Sequence, residues 1–155
     1  MKFKKIALGG TFDILHKGHK TLLEKAFEMG EFVIIGLTTD IFANKLKGRK
    51  ITPYVLRKEK ITNFIKKRFP NRKFKIVPLN DPYGPLLSDP DIDALIVSEE
   101  TRKVAEKARL ERIKKGLSPF KIITLPLVIA KNGSKISSKA IREGLMDEEG
   151  RILSK

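Results

Sequence analysis

The chain contains no cysteine, no tryptophan and no glutamine, and histidine occurs only twice. Without cysteine there is no disulfide framework and no thiolate to hold zinc, so a reducing compartment, the cytoplasm, is the expected location. No apolar run approaches the ~20 residues that span a bilayer, which argues against a membrane partner. The opening MKFKKIALGG is basic, but its apolar stretch is too short for a cleavable signal. The shortage of thermolabile residues beside abundant Lys, Arg and Glu resembles the composition of heat-adapted proteins. Acidic residues are the minority charge: 33 Lys and Arg against 18 Asp and Glu leave +15. A solvated lysine-rich surface accounts for that excess. So does a polyanionic partner, whether nucleotide, phosphorylated metabolite or nucleic acid.

What is present is an alternation. Five short apolar runs, at 5–8, 32–37, 74–79, 93–97 and 120–125, read as buried strands. Between the first two, Leu22, Leu23, Ala26, Phe27 and Met29 recur at helical spacing, with Gly30 as a C-terminal stop. Thr52 and Pro53 predict the N-cap and first turn of a second helix carrying Leu56, Ile61, Phe64 and Ile65. A third helix is predicted from Glu99 to Lys115, stopped by Gly116, and a fourth from Ser137-Ser138 through Leu145. Such alternation implies right-handed crossovers and a parallel sheet covered on both faces. With no internal repeat or long linker, residues 1–155 read as a single doubly wound α/β domain, Rossmann-like, with helices on both faces. The end, residues 146–155, reads as a polar tail or a short polar helix.

In doubly wound sheets ligands collect at the carboxyl ends of the strands. The stretch LGGTFDILHKGHKTLLEKA, residues 8–26, sits at such an end. Gly9 and Gly10 follow the first strand and leave the backbone open to a ligand phosphate. The next helix would aim its free N–H groups and positive dipole end at the same place, with His16 and His19 three residues apart beside them. Together these predict an anion site with two imidazole donors. The glycines form neither G-x-G-x-x-G nor a P-loop, and G-S-K at 133–135 has the wrong order. A zinc site from Asp13, His16 and His19 lacks further His or Cys to complete it, so no metal centre is expected. Histidines serving only as helix caps are the structural alternative.

T-F-D-x-L-H-x-G-H, beginning at Thr11, resembles the T/HxGH motif of the nucleotidyltransferase α/β phosphodiesterase superfamily, which includes adenylyl- and cytidylyltransferases and class I aminoacyl-tRNA synthetases. I-S-S-K-A-I-R at 136–142 resembles that group's second motif, in the right order and about 120 residues later. V-S-E-E-T at 97–101 and P-L-N-D-P-Y-G-P at 78–85 are similar to the phosphopantetheine adenylyltransferases of the archaeal and eukaryotic type. That resemblance, from Lys5 to about Leu145, implies transfer of AMP from ATP to 4′-phosphopantetheine, giving dephospho-coenzyme A and pyrophosphate. The bacterial form carries Thr where this chain has His16, as cytidylyltransferases do, so the first motif alone does not name the substrate.

The resemblance implies roles for particular residues. The attacking group is already a phosphate dianion, so the protein must supply positioning and charge neutralisation rather than a nucleophile. His16, His19 and Arg142 are the expected catalytic groups, donating to phosphate oxygens as charge builds. Ser137 and Ser138 would bind the β- and γ-phosphates, ordinary N-capping being compatible with that role. Gly9, Gly10, Thr11, Phe12, Glu100 and Arg102 complete the expected ATP site. Thr11, Asp13, Lys45, Arg57, Asp81 and Tyr83 are expected at the acceptor, although Lys45 also reads as a surface lysine and D-P-Y-G as an ordinary turn. Mg²⁺ is expected on the triphosphate, with no dedicated carboxylate cage in the chain. Two alternatives remain open at this point: the same fold acting on FMN, glycerol phosphate or another phosphorylated acceptor, and a non-catalytic nucleic-acid-binding protein. The second lacks supporting patterns, with only two Tyr and no RRM or zinc-finger signature.

Overall fold

A computed structural model describes residues 2–130 and 132–153. Five strands, β1 (Phe3–Gly10), β2 (Gly30–Thr38), β3 (Lys73–Leu79), β4 (Ala94–Ser98) and β5 (Lys121–Leu125), pair in parallel in the order β3-β2-β1-β4-β5. The helices are α1 (Lys17–Met29), α2 (Asp40–Lys47), α3 (Tyr54–Arg68), α4 (Arg102–Lys114) and α5 (Ser138–Arg142). The chain runs outward from β1 through β2 to β3, then returns past β1 to start β4. The order therefore reverses between β1 and β4, and a crevice opens beyond their carboxyl ends.

Alternation along the central strands divides the core in two. Ile6 and Leu8 of β1, Val33, Ile35 and Leu37 of β2, and Ile96 of β4 pack with α1 and α3 through Leu23, Phe27, Ile61 and Ile65. Ala7, Ile34, Leu95 and Val97 point the other way and meet Ala105 and Ala108 of α4, with Phe120. Both faces of the sheet are thus apolar and covered, which is why the strands read as continuous apolar runs. Phe27 stacks on Phe69 at 4.6 Å between ring centroids, closing the outer edge of the first layer.

Several elements differ from the sequence reading, each for a local reason. Gly30 ends α1 in an extended conformation, φ −118°, and at once begins β2; its N–H still caps Ala26. Helix α2 was not expected after the second strand. It is held by Thr39, whose hydroxyl accepts from the Phe42 amide, and closed by Gly48 in the left-handed region at φ 62°. Pro53, not Thr52, is the N-cap of α3, because the Thr52 amide and hydroxyl are turned inward to Asp13 and Arg142. The last helix ends at Arg142, well short of Leu145, and Gly144 at φ 76° turns the chain.

Residues 146–153 form neither a helix nor a loose end. Met146 bridges Ile152 in antiparallel fashion around a turn in which Asp147 accepts from the Glu149 and Arg151 amides. The Glu148 carbonyl accepts from the Lys17 amide at 2.8 Å, fastening this turn to the start of α1. The final two positions of the expected tail lie outside the described residues. No helix among the described residues is long and apolar enough to cross a membrane.

Candidate active site

A cleft of about 800 Å³ occupies the carboxyl end of the sheet, within the range of small-molecule sites. Its floor is formed by Gly9 and Gly10 at the end of β1 and by Gly36 of β2. The loop after β1 forms one wall, the segment before α5 another, and residues after β4 and β5 the far side.

The histidine loop is built on hydrogen bonds to nitrogen Nδ1. His16 is the N-cap of α1; its Nδ1 accepts from the Gly18 amide at 3.0 Å, while Nδ1 of His19 accepts from the His16 amide at 3.3 Å. This reciprocal pair is a capping box made from imidazoles. The two rings stack with centroids 3.7 Å apart, and Phe12 packs on His19 at 4.8 Å. Phe12 adopts φ 50°, in the left-handed region, and Gly10 permits it: a Cβ there would lie 3.1 Å from the Phe12 ring. The expectation of free N–H groups at the start of α1 is corrected here, since the Lys17 and Gly18 amides already have protein partners in Glu148 and His16.

With Nδ1 accepting in both rings, the proton of each neutral imidazole resides on Nε2. Both remain neutral at pH 7. Burial, followed by the charges of Lys135 and Lys20, lowers His16 from its ordinary 6.5 to about 4. Burial, followed by His16, lowers His19 to about 3, against an opposing contribution from the Ile14 backbone. Neutral Nε2–H donors beside cations are suited to phosphate oxygens.

Ser138 connects the two ends of the chain. Its hydroxyl accepts from the Ile14 amide at 3.0 Å and donates to the Ile14 carbonyl at 3.2 Å. Ser137 is the N-cap of α5, accepting from the Ala140 amide at 3.1 Å, and both serines line the cleft. The late serine pair is therefore tied directly to the residue two before His16.

Asp13 is a buried hub, its side chain 3% exposed. One oxygen accepts from the Thr52 amide at 2.9 Å and from Arg142 at 2.8 Å; the other accepts from Arg49 at 2.9 Å and Arg142 at 2.8 Å. Burial alone would raise its pKa, but the Arg142 fork, the Thr52 amide and Arg49 outweigh it and hold the carboxyl far below the usual range. Removing one partner from a buried ion pair costs about 3–5 kcal/mol, so these contacts are strong constraints on the loop.

Of the residues expected at the site, Gly9, Gly10, Thr11, Phe12, Asp13, His16, His19, Tyr83, Glu100, Ser137 and Ser138 line the one cleft. Others are placed elsewhere. Arg142 directs its fork at Asp13 and Thr52 and is not a lining residue. Arg57 is fully buried, donating to the Thr11, Thr38 and Thr52 carbonyls and to Asp40, so it braces the loop from behind. Asp81 caps its own turn by accepting from the Tyr83 and Gly84 amides. Arg102 pairs with Glu106 and Thr124 outside the cleft, and Lys45 is exposed on the outer side of α2. The cations that line the cleft are instead Lys47, Arg49, Lys135 and Lys139, none anticipated from sequence. Lys47 lies two residues beyond Lys45, on the opposite side of α2, and the lysine-rich sequence alone does not mark which side turns inward. Asp13 has both oxygens engaged by arginines, and no group of three or more His, Cys, Asp or Glu suited to a metal ion occurs among the described residues.

The profile of the cytidylyltransferase-like family matches residues 7–144. A phosphopantetheine adenylyltransferase of Pyrococcus abyssi (strain GE5 / Orsay) is 43% identical over 157 residues, covering 100% of this chain and 99% of that protein. One from Methanopyrus kandleri is 40% identical over 147 residues, covering 95% and 93%. The chain belongs to the phosphopantetheine adenylyltransferase family. Among solved structures, a protein of unknown function from Archaeoglobus fulgidus superposes with a TM-score of 0.73 at 30% identity, over 86% of this chain and 99% of that one. A pantoate-beta-alanine ligase from Francisella tularensis, at 14% identity and a TM-score of 0.60 over 90% of this chain and 65% of that one, shares the fold. A phosphopantetheine adenylyltransferase with this cleft has its two sequence motifs meeting through Ser138 and Ile14, and that contact is the link between family membership and chemistry.

Proposed function

We propose that the cleft transfers AMP from ATP to 4′-phosphopantetheine, releasing pyrophosphate and forming dephospho-coenzyme A. Family membership supports the reaction, and the joining of the histidine loop to the serine pair by Ser138 is the observation that carries it to this site. An acceptor phosphate oxygen attacks the α-phosphorus of ATP; that new P–O bond replaces the bond to the β-phosphate oxygen, and pyrophosphate leaves with its electron pair. No protein nucleophile or base is required, because the attacking phosphate is already an anion. Catalysis then consists of in-line placement and of donors fixed where charge develops.

In this reading the Nε2–H groups of His16 and His19 donate to α- and β-phosphate oxygens. Ser137 and the start of α5 face the distal phosphates. Lys47, at the end of α2, receives the acceptor phosphate in place of Lys45 and Arg57 while Arg49 stays with Asp13, and Tyr83 lies along the pantetheine arm. Arg142 positions Asp13, Thr52 and the loop rather than touching the anion. A magnesium ion would enter on the triphosphate rather than on protein ligands and would supply charge neutralisation on the leaving group. A soluble metabolic enzyme of this kind belongs in the cytoplasm.

The test is an acceptor panel. The protein is incubated with ATP, Mg²⁺ and 4′-phosphopantetheine, FMN or glycerol phosphate, and pyrophosphate and the adenylylated product are measured. Release with 4′-phosphopantetheine alone is expected. Release only with FMN or glycerol phosphate overturns the acceptor assignment, and release with none overturns the reaction.

A further inference from the structure

The cations in and behind the cleft differ in how firmly they are held. Arg49 and Arg142 are bound to a carboxylate that is almost wholly buried, so drawing either toward a ligand would leave Asp13 short of a partner in a dry environment. Lys135 is held otherwise. Its Nζ lies 2.9 and 3.1 Å from the two oxygens of Glu100, and both side chains are about half exposed, 51% and 48%. Exposed pairs of this kind contribute little to stability and exchange readily for another anion.

The location matters as much as the looseness. Glu100 follows β4, whereas Lys135 lies two residues before the α5 cap Ser137, on a short backbone pairing of Ile129 with Lys135. Both line the cleft, so the ion pair bridges its two walls. The charge of Lys135 also reaches His16, whose imidazole it disfavours as a cation. Lys135 therefore stands within electrostatic range of the histidine loop and next to the serine pair.

We propose that Lys135 is a triphosphate-binding residue held over the cleft by Glu100, leaving that carboxylate for the β,γ-phosphates when nucleotide enters. The ligand class is an extended polyphosphate, and the proposal rests on the ATP site assigned above. Glu100 serves as a placeholder: it holds the ammonium over the cleft and competes with the ligand for it. One consequence is a difference in sign between the two partners, since losing the lysine weakens binding and losing the carboxylate strengthens it.

Calorimetric titration without any acceptor tests this, with inorganic tripolyphosphate, ATP and AMP as probes in the presence of Mg²⁺. Lys135→Met is expected to weaken tripolyphosphate and ATP binding by about tenfold and AMP binding by less than about twofold, with Lys135→Arg recovering most of the loss. Glu100→Gln is expected to tighten tripolyphosphate binding by about threefold. The melting temperature of Lys135→Met is measured alongside, so that loss of binding is distinguished from loss of fold. Tripolyphosphate affinity unchanged in Lys135→Met, or lowered in Glu100→Gln, overturns the proposal. Because these titrations involve no turnover, a protein that binds tripolyphosphate as expected yet adenylylates no acceptor refutes the reaction and leaves this site standing.

Discussion

Each histidine of the loop has two nitrogens with separate duties, and a substitution can take one without the other. Asparagine places an oxygen near the position of Nδ1 but has nothing at Nε2. His16→Asn and His19→Asn are therefore expected to keep the caps, with melting temperatures within about 2 °C of the parent, while turnover falls by about 100-fold as for a lost oxyanion donor. His16→Ala removes both functions and is expected to cost about 1 kcal/mol of stability as well. Scanning calorimetry beside steady-state kinetics reads the two effects separately. Equal losses of turnover and stability in the Asn variants would make the histidines structural.

The same imidazoles set a pH dependence. His16 and His19 fall from 6.5 in the unfolded chain to about 4 and about 3 in the fold. Depressed values mean that the unfolded chain binds protons first as pH falls, so stability is full above about 6.5 and declines between there and about 3. Asp13 extends the loss in the acid range, because its carboxyl is held below the ordinary carboxylate value. Urea midpoints measured from pH 7 to 4 should fall steadily, and His16→Asn should flatten that slope. A flat profile in the parent would contradict the buried neutral state.

At the scale of elements, the loop after β1 and the start of α1 are held by three other segments. Ser138 brings α5 to Ile14, Asp13 brings Thr52 and Arg49 to the loop, and the Glu148 carbonyl joins the C-terminal turn to α1. Ser138→Ala removes the first tie and is expected to cost about 1 kcal/mol by urea denaturation. Its effect on ATP affinity should exceed that on stability, because the serine pair and the histidines then lose their common frame. Asp13→Asn is expected to cost about 3 kcal/mol, the low end for a broken buried pair because both arginines retain water. A loss below about 0.5 kcal/mol would remove Asp13 as the organising charge, since surface substitutions fall in that range.

Strands and long helices were legible because their signals are periodic. Ile6 and Leu8 against Ala7, or Leu23 and Phe27 on α1, repeat a pattern that packing reinforces. Helix α2 was not, because only Ala43 is buried in it and its stability comes from Thr39 and Gly48 at its ends. The site divides in the same way. His16, His19, Ser137 and Ser138 stand in local motifs, whereas Lys47, Arg49 and Lys135 owe their position to where distant segments meet. Asp13 and Arg142 are 129 residues apart, and nothing local to either records the bond between them. A motif names residues; only the fold tells which atoms of those residues are already engaged.

For the whole molecule, a charge of +15 surrounds a cleft expected to receive highly charged anions. Long-range attraction of this kind is screened over about 10 Å at 0.1 M salt. The KM for ATP is expected to rise several-fold between low and high ionic strength, with kcat changing less. Turnover kinetics over a salt series checks this, and a KM independent of salt would confine the excess charge to solubility.

The central claim is that both ends of the chain form one triphosphate cradle at the mouth of the sheet. A crystal structure with a non-hydrolysable ATP analogue, α,β-methylene-ATP, measures it most directly. The account expects phosphate oxygens within about 3 Å of Nε2 of His16 and His19, with the distal phosphates against Ser137 and Lys135. A triphosphate bound outside this cleft, or one touching the histidine loop with the α5 segment left apart, would contradict it.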